Sequence, residues 1–284
     1  MLVAWRSPAV RGNRAVKQTP VRLLGPGLVL LAGLPLLFLA LPLLALVWRT
    51  AGELGDLPDR TAETLRHALR LSLITSAISL VLVLSLGTPL AYLLARRRFF
   101  GSRLVDTLVD LPIVLPPAVA GIALLMAFGR RGMIGEVLER AGITLGFSTP
   151  AVVMAQCFVA LPFYVRAAKA GFGNVHRDVE EAAAIDGAAP LRIFRDMTFP
   201  LASSGLAAGA VLAWARALGE FGATIMFAGN FAGRTQTMPL AIYGRYEAGD
   251  LPTALVLSAI LLAFSAGVLL AARLAGGVTL RAPT

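Results

Sequence analysis

Five stretches of this chain, residues 23–47, 71–95, 111–129, 147–165 and 251–272, contain no charged side chain. A helix crossing the hydrocarbon core of a bilayer needs about 20 mostly apolar residues, and each stretch supplies that length or nearly so. A sixth stretch, 201–231, is interrupted only by Arg216 and Glu220. Backbone polar groups facing lipid must be satisfied within their own segment, so the stretches are read as helices. The expected fold is all-α and integral to a membrane, with six transmembrane helices. Composition agrees. Hydrophobic residues make up 57% of the chain and charged residues 15%, against about 25% charged in soluble domains. A soluble fold of this length would lack polar surface to cover itself.

The net charge of +10 first suggests a nucleic-acid partner. The basic residues lie between apolar runs, however, which is the pattern of membrane topology. Six crossings place both ends on one side. That side would hold the five basic residues of the N-terminal arm (Arg6, Arg11, Arg14, Lys17, Arg22) and four after the second span (Arg96, Arg97, Arg98, Arg103). It would also hold five after the fourth (Arg166, Lys169, Arg177, Arg192, Arg195) and two at the C-terminus (Arg273, Arg281). The other side holds nine: Arg49, Arg60, Arg66, Arg70, Arg130, Arg131, Arg140, Arg234 and Arg245. The bias predicts both termini in the cytoplasm. Residues 1–22 read as a basic, disordered cytoplasmic arm. The apolar run that follows is far longer than the roughly 7–15 residues of a signal-peptide core, so it is read as a retained span. Residues 23–273 read as one six-helix domain and 274–284 as a short tail. No repeat on the scale of half the chain appears, so a pseudo-symmetric pathway would require a second copy of the chain.

Catalytic signatures are absent. The only two lysines, Lys17 and Lys169, precede Gln18 and Ala170, so neither belongs to a phosphate-binding loop. His67 and His176 fall in expected loops on opposite sides and read as solvated residues. Cys157 reads as a small buried hydrophobe. No cofactor or metal site is expected, and the chain is not expected to be an enzyme.

Proline and charge mark the spans. Pro112, Pro116 and Pro117 predict that the third helix is bent, either as a packing kink or as an element of a translocation path. Asp110, just before it, reads as a solvated end. Arg216 and Glu220 lie four residues apart on one helical face. Charges inside a span pair, face an interior, or function, which leaves two readings: an ion pair that locks the helix, or a gate. Thr224 continues that face at i+8. Gly205 and Gly209 permit close helix packing, whether within the chain or across a dimer axis. Residues 134–145 look like a short external interfacial helix.

The charged loop between the fourth and fifth spans contains Glu181-Ala182-Ala183-Ala184-Ile185-Asp186-Gly187, closed thirteen residues later by Pro200. Asp178-Val179-Glu180-Glu181 has the form of a capping box. Three alanines favour helix, and Gly187 supplies a stop. The expectation is a helix of about two turns whose small side chains let another protein approach.

This order, with Met197-Thr198-Phe199-Pro200 after it, resembles the EAA loop of ABC importer permeases. There a short cytoplasmic helix docks onto a separate ATPase. Met197 and Phe199 depart from the family's Ile and Leu but remain apolar. A narrower resemblance lies in Trp214-Ala215-Arg216-Ala217-Leu218-Gly219-Glu220-Phe221-Gly222-Ala223-Thr224 and Gly233-Arg234-Thr235-Gln236-Thr237. These are similar to the fifth span and following loop of molybdate permeases, and sulfate and tungstate permeases share part of the pattern.

The resemblance implies a type I ABC importer permease fold in a prokaryotic plasma membrane. It implies partnership with two ATPase subunits, a second copy of the chain, an extracytoplasmic oxyanion-binding protein and membrane lipid. Glu181, Ala182, Ala183, Asp186, Gly187 and Pro200 become the expected ATPase-coupling residues, and Arg216, Glu220, Thr224 and Pro116 the path or gate candidates. The implied cargo is molybdate or tungstate, with sulfate as the alternative. Moving a dianion inward against an inside-negative potential costs about 4.6 kcal/mol per 100 mV, so uptake requires an energy source. A membrane-embedded enzyme would show paired acid and base groups within the spans. An ATP-independent secondary transporter would need ion-coupling carboxylates.

Overall fold

In a computed structural model, residues 26–53 and 61–279 are described, with side chains from 30 to 53 and from 61 to 271. The arm at 1–22 lies outside these limits. Two units are distinguished, 1–45 and 46–284. The first contributes the beginning of α1 (Pro26–Glu53), a mostly apolar helix containing Pro35 and Pro42. All remaining elements belong to the second. They are α2 (Thr61–Arg96), α3 (Ser102–Val114), α4 (Pro117–Phe128), α5 (Gly135–Arg140) and α6 (Thr149–Gly173). Next come α7 (Arg177–Ile185), α8 (Pro190–Ile193), a π-turn (Phe194–Thr198) and α9 (Phe199–Leu218). The chain continues with α10 (Gly222–Ala228), α11 (Met238–Glu247) and α12 (Leu251–Thr279). The described residues include no strand.

Five helical stretches are long and apolar enough to cross a membrane, and the bent pair α3–α4 makes a sixth if it is one crossing. The packing supports one crossing. The two axes meet at 119°, yet α3 lies against the C-terminal half of α6, where Asp106 meets Lys169 and Asp110 meets Arg166. Ala120 and Leu124 of α4 instead join Ala151, Val152, Ala155 and Val159 from the N-terminal half of α6. The chain therefore advances along α6 through the break at Leu115–Pro116. Pro116 and Pro117 cannot donate the backbone hydrogen bonds that would continue α3. Asp110 is thus paired rather than simply solvated, because α6 brings a guanidinium to it.

The α2 helix begins ten residues before its apolar run. Its 36 residues span about 54 Å at 1.5 Å per residue, against a hydrocarbon core of about 30 Å. Its first turns, with Arg66, His67 and Arg70, extend beyond the apolar layer, so His67 is a helical residue. At the other end of the chain, α12 runs on to Thr279.

The α6 helix is central to the second unit, and its buried positions go all round it. Tyr164, 1% exposed, fills the space between α2, α6 and α9, and its hydroxyl lies 2.6 Å from that of Thr88. Gly87 and Gly209 make room for this ring: a Cβ on Gly87 would stand 2.7 Å from Tyr164 Cδ1. Further along, a Cβ on Gly205 would stand 2.6 Å from Gly171 Cα. The Gly205/Gly209 pair therefore packs α9 against α6 of the same chain, where small residues bring the backbones together.

Polar side chains supply the remaining attachments. Ser72, Thr75, Ser76 and Ser79 form a fully buried stripe along α2. Ser72 accepts from the Met238 N–H at 2.7 Å, Ser76 from Trp214 Nε1 at 3.1 Å, and Ser79 donates to Gln156 at 2.9 Å. Each ties α2 to a different element.

Candidate functional site

The candidate residues fall into two groups at opposite ends of α9. Its 20 residues separate them by about 30 Å.

The first group surrounds α7. Glu181, Ala182 and Asp186 are exposed, whereas Ala183 is buried at 8% exposure. Gly187 sits at φ +83°, the left-handed conformation that suits glycine at the end of a helix. The Asp186 and Ala188 N–H groups return to the carbonyls of Ala182 and Ala183 at 3.1 and 3.0 Å. The expected capping box does not form: α7 starts at Arg177 with His176 before it and no side-chain cap. Glu180 is held elsewhere. Its Oε1 accepts from Arg96 Nη2 at 2.9 Å and from Thr198 Oγ1 at 2.6 Å. Asp178, Ala182, Asp186, Gly187 and Arg192 line a groove of about 690 Å³ on α7 and its connection. Ile185 and Leu191 beside it are 86% and 77% exposed.

Pro200 lies in the first turn of α9 and is exposed. Without an N–H, and with a ring that crowds the carbonyl four residues back, proline disturbs the turn that precedes it. The Phe199 N–H accordingly bonds to Phe194 O, five residues back, and the wide turn results.

The second group surrounds the end of α9. The helix stops at Leu218, and Gly219-Glu220-Phe221 separates it from α10. Glu220, 1% exposed, occupies that break. Its Oε2 lies 2.6 Å from Arg216 Nη1, and its Oε1 accepts the Ala223 N–H at 2.8 Å. The carboxylate thus pairs with the last turn of α9 and caps the first turn of α10. Because the helix is interrupted, Thr224 does not continue the Arg216 face. It is fully buried on α10, and its hydroxyl has no hydrogen-bond partner among the described residues. The break abuts the one in the third span: a Cβ on Gly222 would stand 2.5 Å from Pro117 Cβ, and one on Gly121 2.7 Å from Ala223 O. Pro116, exposed, precedes α4 at this crossing. The structure therefore gathers Arg216, Glu220 and Thr224 beside the Pro116–Pro117 break.

Beyond α10 a loop is braced by its own amides. Gln236 Nε2 donates to Asn230 Oδ1 at 3.0 Å, and Asn230 Nδ2 to Leu240 O at 3.0 Å. Thr64, His67, Gly233, Gln236 and Arg245 line a cavity of about 530 Å³. Arg245 is engaged by Thr64 Oγ1 at 2.6 Å and by Asp250 at 3.5 Å. On α11 the exposed Tyr243 phenol donates to Glu247, and that carboxylate pushes its pKa above the ordinary value near 10. Of the interfacial helix expected at 134–145, only Gly135–Arg140 is helical.

Sequence reasoning missed Arg96 and Thr198, and it gave Glu180 no role of its own, reading only Asp178 and Glu181 as the ends of a capping box. It also passed over the α2 hydroxyls, although residues 72, 75, 76 and 79 follow the helical period.

An assembly of apolar spanning helices, two of them broken and abutting at a partly buried ion pair, has the architecture of a multi-pass membrane protein. Residues 87–278 match the family described as binding-protein-dependent transport system inner membrane component, and the chain belongs to it. It is therefore an inner-membrane permease of a bacterial ABC importer. The chain is 45% identical over 239 residues to the molybdenum transport system permease protein ModB of Mycobacterium tuberculosis, covering 83% of this chain and 88% of that one. It is 36% identical over 197 residues to the sulfate transport system permease protein CysW of Synechococcus elongatus, covering 69% and 68%. Its fold is shared with a chain in the crystal structure of a bacterial ABC transporter that imports the acidic polysaccharide alginate. The TM-score is 0.72 at 16% identity, with coverage of 90% and 96%.

Proposed function

We propose that this chain is the membrane permease of an ATP-driven molybdate importer. The observation that carries the reading is the 45% identity to a molybdenum permease across 83% of the chain. In this reading two copies form the pathway, two ATPase subunits dock on their inner faces, and an extracytoplasmic binding protein delivers the anion. Both termini, and residues 178–200 with them, face the cytoplasm. Glu181, Ala182, Asp186 and Gly187 form the surface offered to the ATPase. The buried Ala183 holds α7 to the body of the chain, and Pro200 starts the helix that carries the movement inward.

The second group serves as the gate. Arg216 and Glu220 neutralise each other while paired, so the break offers a dianion no net attraction. Movement of α9 relative to α10 lengthens the 2.6 Å contact and leaves the guanidinium available to an oxyanion. Thr224 supplies a hydroxyl at the same crossing, and Pro116 lets α3 and α4 hinge. Weak, transient binding of this kind releases the anion once the pair re-forms. Tungstate, of the same shape and charge, follows the same path.

The resemblance to a sulfate permease at 36% identity makes sulfate the second reading. Uptake of labelled molybdate by the importer, with its own ATPase and binding protein, separates the two. Unlabelled molybdate and tungstate are expected to compete, and sulfate in large excess is not. Equal competition by sulfate would assign the system to sulfate.

A further inference from the structure

We propose that Arg96, Glu180 and Thr198 form the joint that carries movement of α7 into α2 and α9, and that they are positioning residues for coupling. This rests on the importer reading above. One oxygen, Glu180 Oε1, accepts from Arg96 Nη2 at 2.9 Å and from Thr198 Oγ1 at 2.6 Å. The second guanidinium nitrogen, Arg96 Nη1, donates to Val175 O at 3.0 Å, just after α6. Arg96 is the last residue of α2, Glu180 lies in the first turn of α7, and Thr198 closes the π-turn before α9. The ends of α2, α7 and the π-turn thus meet at one carboxylate, and Arg96 extends the joint to the loop just after α6.

The site is shielded. The Arg96 and Glu180 side chains are 9% and 19% exposed, and Thr198 is fully buried. An aromatic layer backs it: Tyr92 lies 5.3 Å from Phe172 and 5.0 Å from Phe194, both edge-on. Charge-assisted hydrogen bonds in such surroundings are short and directional. Displacing α7 therefore strains the end of α2 and the π-turn together.

The π-turn gives that strain somewhere to go. A wide turn holds one residue more than an α-turn, and such turns concentrate at functional sites. Shifting the Phe199 bond from the fifth to the fourth preceding carbonyl rotates α9, and the far end of α9 carries Arg216. The neighbouring Glu181 is exposed on the outer face of α7, whereas Glu180 acts inside the chain.

The test uses the complete importer, with its ATPase and binding protein, in proteoliposomes. Molybdate taken up is measured per ATP hydrolysed, and ATPase retention is measured by co-purification. Thr198→Val, which removes one arm of the joint at nearly constant volume, is expected to keep the ATPase bound and hydrolysing. Uptake per ATP falls about tenfold, the scale of one hydrogen bond to a charged group. Glu180→Gln acts in the same direction. Thr198→Ser keeps the hydroxyl and the wild-type ratio. Arg96→Glu abolishes coupling, and the exchange R96E/E180R restores part of it. An unchanged ratio in both Thr198→Val and Glu180→Gln overturns the proposal. So does a loss explained entirely by failure to retain the ATPase or to assemble, with no rescue by Thr198→Ser or the charge exchange. Absence of ATP-driven uptake in the wild-type importer would instead refute the importer reading.

Discussion

Replacing Arg216 by methionine isolates the energetics of the break in the fifth span. Glu220 is 1% exposed, and one of its oxygens depends on Arg216 at 2.6 Å. Methionine fills much the same volume but leaves a buried carboxylate with only the Ala223 N–H as its partner. Breaking a buried pair in this way costs about 3–5 kcal/mol, because the remaining charge is uncompensated. The reverse change, Glu220→Gln, costs less, about 1–2 kcal/mol. The amide oxygen still accepts from Ala223, and Arg216, 29% exposed, keeps part of its solvation. In the double variant R216M/E220Q the orphan charge is gone, so about 2 kcal/mol of the single-variant loss returns. Thermal unfolding of the purified permease in detergent reads the series. At about 2–4 °C per kcal/mol for a chain of this size, Arg216→Met melts roughly 6–20 °C below wild type, with the double variant in between. An Arg216→Met melting point equal to wild type would refute the view that Glu220 is a buried anion dependent on this partner.

Two further outcomes follow from glycines, one at a close contact and one at a positive φ. Gly205→Ala brings a methyl to 2.6 Å from the Gly171 backbone. No side chain there can swing away, so α6 and α9 must separate at a cost of about 1–3 kcal/mol, read as a lower melting point. Gly187→Val meets no steric neighbour but must adopt φ +83°, which costs about 1–2 kcal/mol per residue. That change frays the end of α7 while the membrane spans melt as in wild type. Co-purification with the ATPase is expected to weaken, and retention at the wild-type level would count against the docking role of this turn.

The spans were legible because charge-free runs near 20 residues report directly on the bilayer. Their ends were not. The α2 helix reaches back to Thr61 because its first turns are polar, and apolar content carries no signal for helix in water. The broken third span was readable from Pro116 and Pro117. The break at Gly219–Phe221 was hidden by the i,i+4 spacing of Arg216 and Glu220, which fits an unbroken helix equally well. The α7 helix was visible in its alanines and Gly187. The role of Glu180 was not visible: the local pattern offered a cap from Asp178 and Glu181, whereas the Arg96 partner of Glu180 lies 84 residues away. Local spacing carries no information about such a contact. Asp106 and Asp110 were likewise readable as charges but not as partners of Lys169 and Arg166.

Molybdate accumulation in proteoliposomes containing this permease, its ATPase and its binding protein tests the central claim most directly. With ATP on the side that residues 178–200 face, the anion is expected to accumulate against its gradient. Removing ATP, or blocking the exposed face of α7 with a thiol-directed label on a Glu181→Cys variant, is expected to stop it. Equal accumulation without ATP, or with that face blocked, would contradict the account.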